Sequence, residues 1–543
     1  MLSNHHSRLT QLPPHSLSRK NPRQYSGILR GITGALLILL AVDVVAADSS
    51  RVDYEELREE AQFRTRRLVF NSDSGSSARV PPAPTLTPQA FLDRRLSPLA
   101  GTQVDTIVLD TTAGSFGSFG HRTKVTEMFT SREGRYRYNV LPDFLLQNTD
   151  PLQVTIEFCR RNNIEILWGI RMNDTHDASN SILIPAFKRD HPDYLFGTPE
   201  HPPKYGRWSS VDFAQPAVRE LVYLTIAEVA DDYDIDGVEL DFWRHPAFFK
   251  RSANGGTLRQ EDLDLMTELI RRVRAKLDEV GTRQGKHLLL MVKYPDSIGY
   301  CRTLGLDIKK WLAEDLIDVL VPGGYFQFNH WEESVALGKQ YSVPVHACLA
   351  ESRVSDPRGN KARNSTEALR ARAAAAWASG VDSIEMFNHF DGRKPYWHEL
   401  GSPEILRKLP KTYFISVQGV GSSRSYAPSD AFITLPGLTP DAPETVQSGQ
   451  STSYDIFIGD DLRGPTPLNA RLRLQTSETG RSTEARLSWD GDEVAFKPDG
   501  PGDFVAGLNR HTIVPGHHRI GVENGGSSDI EIEDIMIEII LQP

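Results

Sequence analysis

One stretch of the chain, residues 236–246, carries acidic and basic side chains at spacings suited to chemistry, and it reads DGVELDFWRHP. If its first half is a β-strand, alternation places Glu239 and Asp241 on one face and apolar residues on the other. Two carboxylates on an inward face are costly to bury unless they are paired, hydrogen-bonded or used in a reaction. The stretch therefore predicts catalytic carboxylates, and the alternative is a structural pair held by Arg244 and His245.

Apolar runs alternate with helix-like stretches over residues 66–410, a pattern typical of repeated βα units around a parallel sheet. Eight runs qualify as strands: residues 67–70, 105–110, 164–170, 237–241, 287–292, 317–321, 343–347 and 383–387. Helix-compatible connectors lie at residues 88–96, 151–162, 215–232, 260–280, 331–340 and 366–379. The sequence therefore predicts a (β/α)8 TIM barrel, in which the C-terminal strand ends line the mouth of the site.

The composition changes after residue 410 to short alternating runs separated by Gly, Asp and Pro. These runs lie at residues 454–458, 470–474, 484–489, 517–522 and 530–540. They predict antiparallel strands and an α/β chain that ends in a C-terminal β-sandwich over residues 411–543. Two roles are open for this sandwich, namely binding carbohydrate or only bracing the barrel.

The N-terminal residues predict a targeting signal. Basic residues precede an apolar run at 31–42, and small residues at 45–47 resemble a cleavage site, so residues 1–47 read as a secretory signal peptide. An uncleaved anchor is the alternative, but the run is shorter than the roughly 20 residues that span a bilayer. We expect export to the periplasm or the exterior, no stable membrane insertion after cleavage, and a short lead-in segment at residues 48–65.

The overall composition points away from several classes of protein. The formal net charge is −10 and the pI is near 5.9, which gives no support for a nucleic-acid partner. The three cysteines form no disulfide framework and show no metal-ligand spacing. Neither a GxGxxG helix opening nor a GxxxxGKS/T loop occurs, so we expect no cofactor.

Carboxylates follow many of the predicted strands and should converge at one mouth: Asp73, Asp110, Asp174, Glu239, Asp241, Glu351 and Glu385. Glycoside hydrolysis needs two carboxyl groups, one protonated to assist the leaving oxygen and one ionised. We expect Asp241 to act as nucleophile or charge stabiliser, and Glu385 as the general acid, with Glu351 and Glu239 as alternatives. Retaining and inverting chemistry remain open, because they depend on the distance between the two carboxyl groups.

Other residues predicted near the mouth suit a sugar, since aromatic faces stack on pyranose rings and polar groups bind hydroxyls or anions. The expected substrate-binding residues are Arg171, Asn173, Asp174, His176, Trp208, Trp243, Arg244, His245, Lys293, Tyr325 and Asn388. Lys293 ends a very apolar strand, where an inward ammonium has two possible roles. It pairs with Asp241, or it contacts an acidic group of the substrate.

Residues 233–245, YDIDGVELDFWRH, preceded by PAVR at 216–219, resemble the fourth-strand signature of bacterial glycosyl-hydrolase-like TIM-barrel proteins. Those proteins are distant relatives of the amylase and family 10 glycosidase superfamilies. Their Asp-Gly-x-x-x-Asp strand places its second aspartate in the active site, which the resemblance maps onto Asp241. Residues 320–325, LVPGGY, are similar to their sixth strand, which also tends to end in proline and then tyrosine. The resemblance covers about residues 66–400.

Two departures from related patterns leave the acid/base residue open. Family 18 chitinases follow a similar DGxxxD strand with an essential glutamate two residues on, but this chain has Trp243 there, so their substrate-assisted mechanism is not expected. Glu239 does not follow an asparagine, as the acid/base glutamate does in many retaining barrel glycosidases.

The sequence therefore predicts an exported glycoside hydrolase whose partner is a poly- or oligosaccharide. One alternative is a non-catalytic carbohydrate-binding protein on the same scaffold. Another is a metal-dependent hydrolase that uses Asp174, His176, Asp241 and His245. These four residues lack H-x-H or H-E-x-x-H spacing, so no metal site is predicted.

Overall fold

The computed structural model describes residues 54–72, 87–419, 421–465, 467–477 and 485–542. The predicted signal peptide and Asp73 lie outside these residues. The chain divides into two units, Met1–Glu56 and Leu57–Pro543. The first unit is described only at residues 54–56, which are helical. The barrel and the sandwich both belong to the second unit. Among the described helices, none has the length and apolarity needed to cross a membrane.

Eight parallel strands form the barrel: β1 (Leu68–Ser72), β2 (Val104–Asp110), β3 (Glu165–Arg171), β4 (Gly237–Asp241), β5 (Leu289–Tyr294), β6 (Val319–Pro322), β7 (His346–Ala350) and β8 (Ser383–Phe387). They are hydrogen-bonded in the order β6-β5-β4-β3-β2-β1-β8-β7. Leu320 pairs with Val345 and its N–H donates to Pro344 O at 3.0 Å, which joins β6 to β7. The predicted (β/α)8 barrel is confirmed.

The helices around the barrel are α1 (Pro88–Arg95), α2 (Leu141–Leu146), α3 (Pro151–Asn162), α4 (Ala186–Asp190), α5 (Pro216–Asp232), α6 (Lys250–Ala253), α7 (Gln260–Gln284), α8 (Ile298–Leu304), α9 (Ile308–Ala313), α10 (Trp331–Tyr341), α11 (Pro357–Arg363), α12 (Thr366–Ser379) and α13 (Pro403–Leu406). Local capping sets their ends. The Ser365 side chain accepts the N–H of Ala368 at the start of α12, and Gly380, at φ 90°, ends that helix. Helix α7 continues four residues beyond the predicted end, to the left-handed Gly285.

In the described part of the remaining chain, ten antiparallel strands follow: β9 (Lys411–Phe414), β10 (Glu444–Val446), β11 (Ser451–Ile458), β12 (Leu468–Thr476), β13 (Ala485–Trp489), β14 (Asp492–Val494), β15 (Phe496–Gly500), β16 (Asp503–Leu508), β17 (Gly516–Asn524) and β18 (Ile530–Leu541). One sheet has the order β9-β18-β12-β16-β15, with β10 beside β18, and the other has the order β11-β17-β13-β14. Burial alternates along β12, as in a sheet with one buried face. The predicted β-sandwich is confirmed.

The sandwich is joined to the barrel by buried polar contacts. Arg363 at the end of α11 forms an ion pair of 2.7 Å with Asp534 of β18, and both side chains are buried. The segment between β9 and β10 returns to the barrel mouth, where Gly206 N–H donates to Ser425 O at 2.7 Å. Tyr300 Oη also donates to this segment, at Ser423 O, at 2.7 Å. Residues that follow the predicted boundary at 410 therefore help to build the mouth.

Candidate functional site

A polar cluster lies inside the barrel, formed by one residue from each of four strands. Lys293 Nζ of β5 lies 3.0 Å from Glu239 Oε1 of β4 and also contacts Glu385 Oε1 of β8. Asn71 Nδ2 of β1 donates to both glutamates, at 2.9 and 3.2 Å. Lys293 therefore pairs with Glu239 and Glu385 rather than with Asp241. We call Asn71, Glu239, Lys293 and Glu385 the lower cluster.

The charges in the lower cluster balance one another. Burial, and then the neighbouring Glu385 carboxyl, raise the pKa of Glu239 well above its ordinary value. Burial lowers the pKa of Lys293, but the two glutamates outweigh that effect and hold it well above its ordinary value. Glu239 therefore favours its protonated form, beside an ammonium group that keeps its charge. This is the physical reason that three ionisable side chains tolerate complete burial.

Aromatic rings lie between the lower cluster and the mouth. Lys293 Nζ is 4.6 Å from the centre of the Phe387 ring. The Phe387 ring in turn packs edge-on against Trp243 and Tyr325, at centroid distances of 5.8 and 5.5 Å. Glu239 and Glu385 are at most 1% exposed. The structure thus places these two predicted catalytic glutamates below the ring layer, in the barrel interior.

Asp241 lies at the C-terminal end of β4, two residues beyond Glu239. Its Oδ1 accepts the backbone N–H groups of Trp243 and Arg244 at 2.9 and 2.8 Å. Burial raises the pKa of Asp241, and the positive charges of Lys293 and Arg171 offset this only in part. Asp241 therefore favours its protonated form more than an exposed aspartate does, and it holds in place two residues that line the mouth.

A chain of polar contacts crosses the mouth and begins at the end of β2. Arg171 Nε lies 2.8 Å from Asp110 Oδ2, and its Nη1 lies 2.9 Å from Asp174 Oδ2. The other Asp174 oxygen is 2.6 Å from His176 Nδ1. Burial alone would raise the pKa of Asp174, but His176 and Arg171 hold it well below its ordinary value. Asp174 is therefore ionised and orients the His176 ring.

The same chain continues from His176 to the other side of the mouth. His176 Nε2 lies 2.8 Å from Arg244 Nη2. Arg244 Nη1 and Asn388 Nδ2 both donate to Tyr325 Oη. Asn388 Nδ2 also lies 3.3 Å from Glu351 Oε1, and the Glu351 side chain is 43% exposed. The structure therefore brings residues from the ends of six strands into one network, in which Glu351 is the accessible carboxylate.

Asp174, His176 and His245 place their ligand atoms within 4.8 Å of one another, the geometry that a metal site would need. Hydrogen bonds already engage these atoms. His176 Nε2 accepts from Arg244, so its Nδ1 carries the proton donated to Asp174. His245 Nδ1 accepts the Thr175 N–H at 3.1 Å, and burial holds the pKa of His245 well below its ordinary value. With the Arg244 guanidinium beside them, this geometry favours a hydrogen-bonded cluster over a cation site.

A cavity of about 390 Å³ opens above the ring layer. Its wall consists of His176, Gly206, Arg207, Trp243, Arg244, His245, Tyr325, Phe326, Arg353, Ser422, Ser425 and Tyr426. Of the described residues that form this wall, none carries a carboxyl group. The cavity therefore presents aromatic faces and cationic donors, and Asp241 and Glu351 lie outside its wall.

Two predicted substrate-binding residues hold loops together. Asn173 Nδ2 donates to Val211 O and Ala247 O at 3.0 and 2.6 Å, which ties the loop after β3 to the loop after β4. Trp208 Nε1 donates to Ala178 O at 3.1 Å, and Trp208 lies outside the cavity wall. Their observed contacts are structural, and their predicted contact with substrate stays a prediction.

Sequence reasoning missed seven residues of the cavity wall, and three of them carry a guanidinium or phenol group: Arg207, Arg353 and Tyr426. Arg353 follows Glu351 by two residues, so its position after a predicted strand was a usable signal. Arg207 lies in the long insertion after β3. Tyr426 lies beyond the predicted barrel boundary, where no sequence pattern indicates that the chain returns to the mouth.

The fold and this site define a closed parallel (β/α)8 barrel with a polar mouth and a C-terminal β-sandwich. The chain matches no protein-family model and no curated protein sequence. Among solved structures, it is similar to the glycoside hydrolase domain of PgaB (BpsB) from Bordetella bronchiseptica, with 11% identity and a TM-score of 0.42. That match covers 62% of this chain and 98% of the PgaB chain.

Two further solved structures are similar over more of this chain. The maltogenic α-amylase AmyB from Thermotoga neapolitana matches with 11% identity and a TM-score of 0.35, over 83% of this chain and 98% of the amylase. A cycloisomaltooligosaccharide glucanotransferase from Paenibacillus sp. matches with 10% identity and a TM-score of 0.35, over 88% of this chain and 57% of that chain. At these TM-scores the likeness carries no argument about activity, which is left to the site residues.

Proposed function

We propose that the protein is an exported glycoside hydrolase that acts on a poly- or oligosaccharide at the C-terminal mouth of the barrel. The observation that carries the proposal is the position and state of Asp241. It ends β4, it holds Trp243 and Arg244 at the cavity wall, and burial raises its pKa. A carboxylic acid with a raised pKa keeps its proton to higher pH than an exposed aspartate does, which suits it to protonate a glycosidic oxygen.

In this proposal Asp241 is the general acid and Glu351 is the ionised carboxylate. Glu351 is half-exposed and is oriented by Asn388, so it is accessible to a sugar or to an attacking water. Glu239 and Glu385, which the sequence also suggested, are at most 1% exposed and are occupied by Lys293. We therefore assign them the structural role of stabilising the barrel interior.

The test is product release from a panel of neutral and acidic polysaccharides, with the wild type and the variants Asp241→Asn and Glu351→Gln. Loss of a general acid lowers the rate by about 10²–10⁴-fold. The matched control is Glu493→Gln, at an exposed position of the sandwich, which should keep full activity. Activity that survives both Asp241→Asn and Glu351→Gln would rule out the proposed roles.

Amino-terminal sequencing of the secreted protein tests the proposed export.

The second candidate function is a carbohydrate-binding protein without catalysis. It is favoured by the absence of carboxyl groups among the described residues of the cavity wall, and by the burial of Asp241, which is 5% exposed. This function predicts measurable binding of an oligosaccharide with no release of product. Asp241→Asn would then leave that binding unchanged.

A further inference from the structure

Three arginines from separate loops line the cavity: Arg207, Arg244 and Arg353. Tyr426 lines the same cavity. Burial raises the pKa of Tyr426, while the positive charges of Arg207, Arg244 and Arg353 act to lower it. On a chain whose formal net charge is −10, the mouth is therefore a locally cationic site.

Two of these guanidinium groups have no carboxylate partner among the described residues. Arg244 is 9% exposed, it donates to Tyr325 Oη and His176 Nε2, and its buried Nε has no hydrogen-bond partner. Arg207 donates to the backbone oxygen of Thr175 at 3.3 Å. Arg207 is exposed, but Arg244 is buried. Because a buried charge without a counter-ion is costly, the unpaired Arg244 guanidinium at the cavity wall indicates an anionic ligand.

The remaining members of the wall do little to neutralise this charge. Arg353 Nη2 lies 3.5 Å from Glu351 Oε1, a long contact for an ion pair, and its guanidinium stacks 3.1 Å from the centre of the Tyr325 ring. His245 stays neutral because burial lowers its pKa. The nearby Asp174 is already engaged by Arg171 and His176. The cavity thus keeps an excess of positive charge.

We propose that the cavity binds an acidic saccharide, with a sugar carboxylate or sulfate ester held among Arg207, Arg244 and Arg353. Planar guanidinium groups donate paired hydrogen bonds to such oxyanions, which ammonium groups do less well. Trp243 and Tyr325, which also line the cavity, present aromatic surface beside the anion site. The saccharide part of this inference rests on the proposed function, whereas the anion part rests on the arginines.

The experiment measures binding by isothermal titration calorimetry with an oligogalacturonate and with its fully methyl-esterified form. The ester has the same sugar skeleton and linkage but lacks the charge. A sulfated galactan oligosaccharide and its desulfated form make the second pair, which distinguishes a sulfate ester from a carboxylate. We expect the charged member of at least one pair to bind at least tenfold more tightly than its neutral form. That preference should shrink as NaCl is raised.

Variants test whether the arginines are responsible. Arg207→Gln and Arg353→Gln should each weaken binding of the charged probe by about tenfold or more, while the neutral form changes little. The matched control is Arg486→Gln, whose side chain is exposed on strand β13 of the sandwich, and it should bind as the wild type does. Circular dichroism of each variant confirms that it is folded.

The outcomes separate this inference from the proposed function. Equal affinity for the charged and neutral members of both pairs, or no binding of any probe, would overturn the anion site. Cleavage of neutral polysaccharides alone would overturn the anion site and would still support the proposed glycoside hydrolase. Tight binding of a charged probe without cleavage of any polysaccharide would support the anion site and contradict the hydrolase.

Discussion

Lys293 and Glu239 form an ion pair of 3.0 Å inside the barrel, and both side chains are withdrawn from solvent. The two residues come from neighbouring strands, β5 and β4, and the same ammonium contacts Glu385 of β8. One lysine therefore connects distant parts of the strand order through contacts with two buried carboxyl groups. The side chains of Glu239 and Glu385 are at most 1% exposed, and both contact Lys293.

Replacing Lys293 with methionine should destabilise the fold, because it leaves two buried carboxyl groups without their cation. Removing one partner of a buried ion pair costs about 3–5 kcal/mol. Urea denaturation of Lys293→Met against the wild type measures the loss. The control is Lys497→Met, at an exposed position of β15, which should change stability little. Equal stability of Lys293→Met and the wild type would contradict the structural role of the lower cluster.

The raised pKa of Asp241 predicts the pH dependence of activity. If its protonated form assists the leaving group, kcat/KM should fall as the pH rises through that pKa. Arg171 is one of the charges that hold the pKa of Asp241 down. Arg171→Gln should therefore move the basic limb of the profile to higher pH, whereas Arg171→Lys keeps the charge and should leave it in place. A limb that does not move in Arg171→Gln would argue against Asp241 as the acid.

Asp296, after β5, should make folding stability depend on pH. Burial raises the pKa of Asp296 to about 7, although it accepts the N–H groups of Phe328 and Asn329. The folded state binds the Asp296 proton more tightly than the unfolded state does. The stabilisation that this proton gives to the folded state is therefore complete below about pH 4 and is lost as the pH rises to about 7.

The measurement is the free energy of unfolding of the wild type and Asp296→Asn at several pH values between 4 and 8. The difference in the free energy of unfolding between the two proteins should change across this pH range and become constant above it. Asp492→Asn, at an exposed position, serves as the control and should parallel the wild type throughout. A constant difference between Asp296→Asn and the wild type would show that Asp296 does not titrate in this window.

Gly324 shapes the cavity because no side chain fits at its position. Its φ is +148°, and a Cβ atom would lie 2.1 Å from Cε2 of Trp243. Gly324→Ala should therefore displace the Trp243 ring, lower stability and weaken oligosaccharide binding. Gly507→Ala is the matched control, since a Cβ there meets no atom within 4 Å. Tryptophan fluorescence and ligand titration measure the effect, and unchanged values in Gly324→Ala would contradict this packing.

Much of the barrel was predictable because its strands are buried on both faces and therefore read as continuous apolar runs. Residues 237–241 and 383–387 were predicted with the bounds that the structure has. The ends of α3 and α12 were equally readable, since Asp150, Ser365 and Gly380 act through local capping. Such signals depend only on residues a few positions apart.

The site was less predictable because side-chain alternation tells which face a residue occupies but not what lies above it. Glu239 and Asp241 share a face of β4, yet the rings of Trp243 and Phe387 leave Glu239 in the interior. Sequence by itself determined the barrel, the sandwich and the strand-end residues, since these follow from local periodicity. Only the tertiary structure decided that Lys293 joins Glu239 to Glu385, because that contact depends on strands far apart in the chain closing into a barrel. It also decided that Arg207 and Tyr426 reach the cavity, because their positions depend on the paths of long loops.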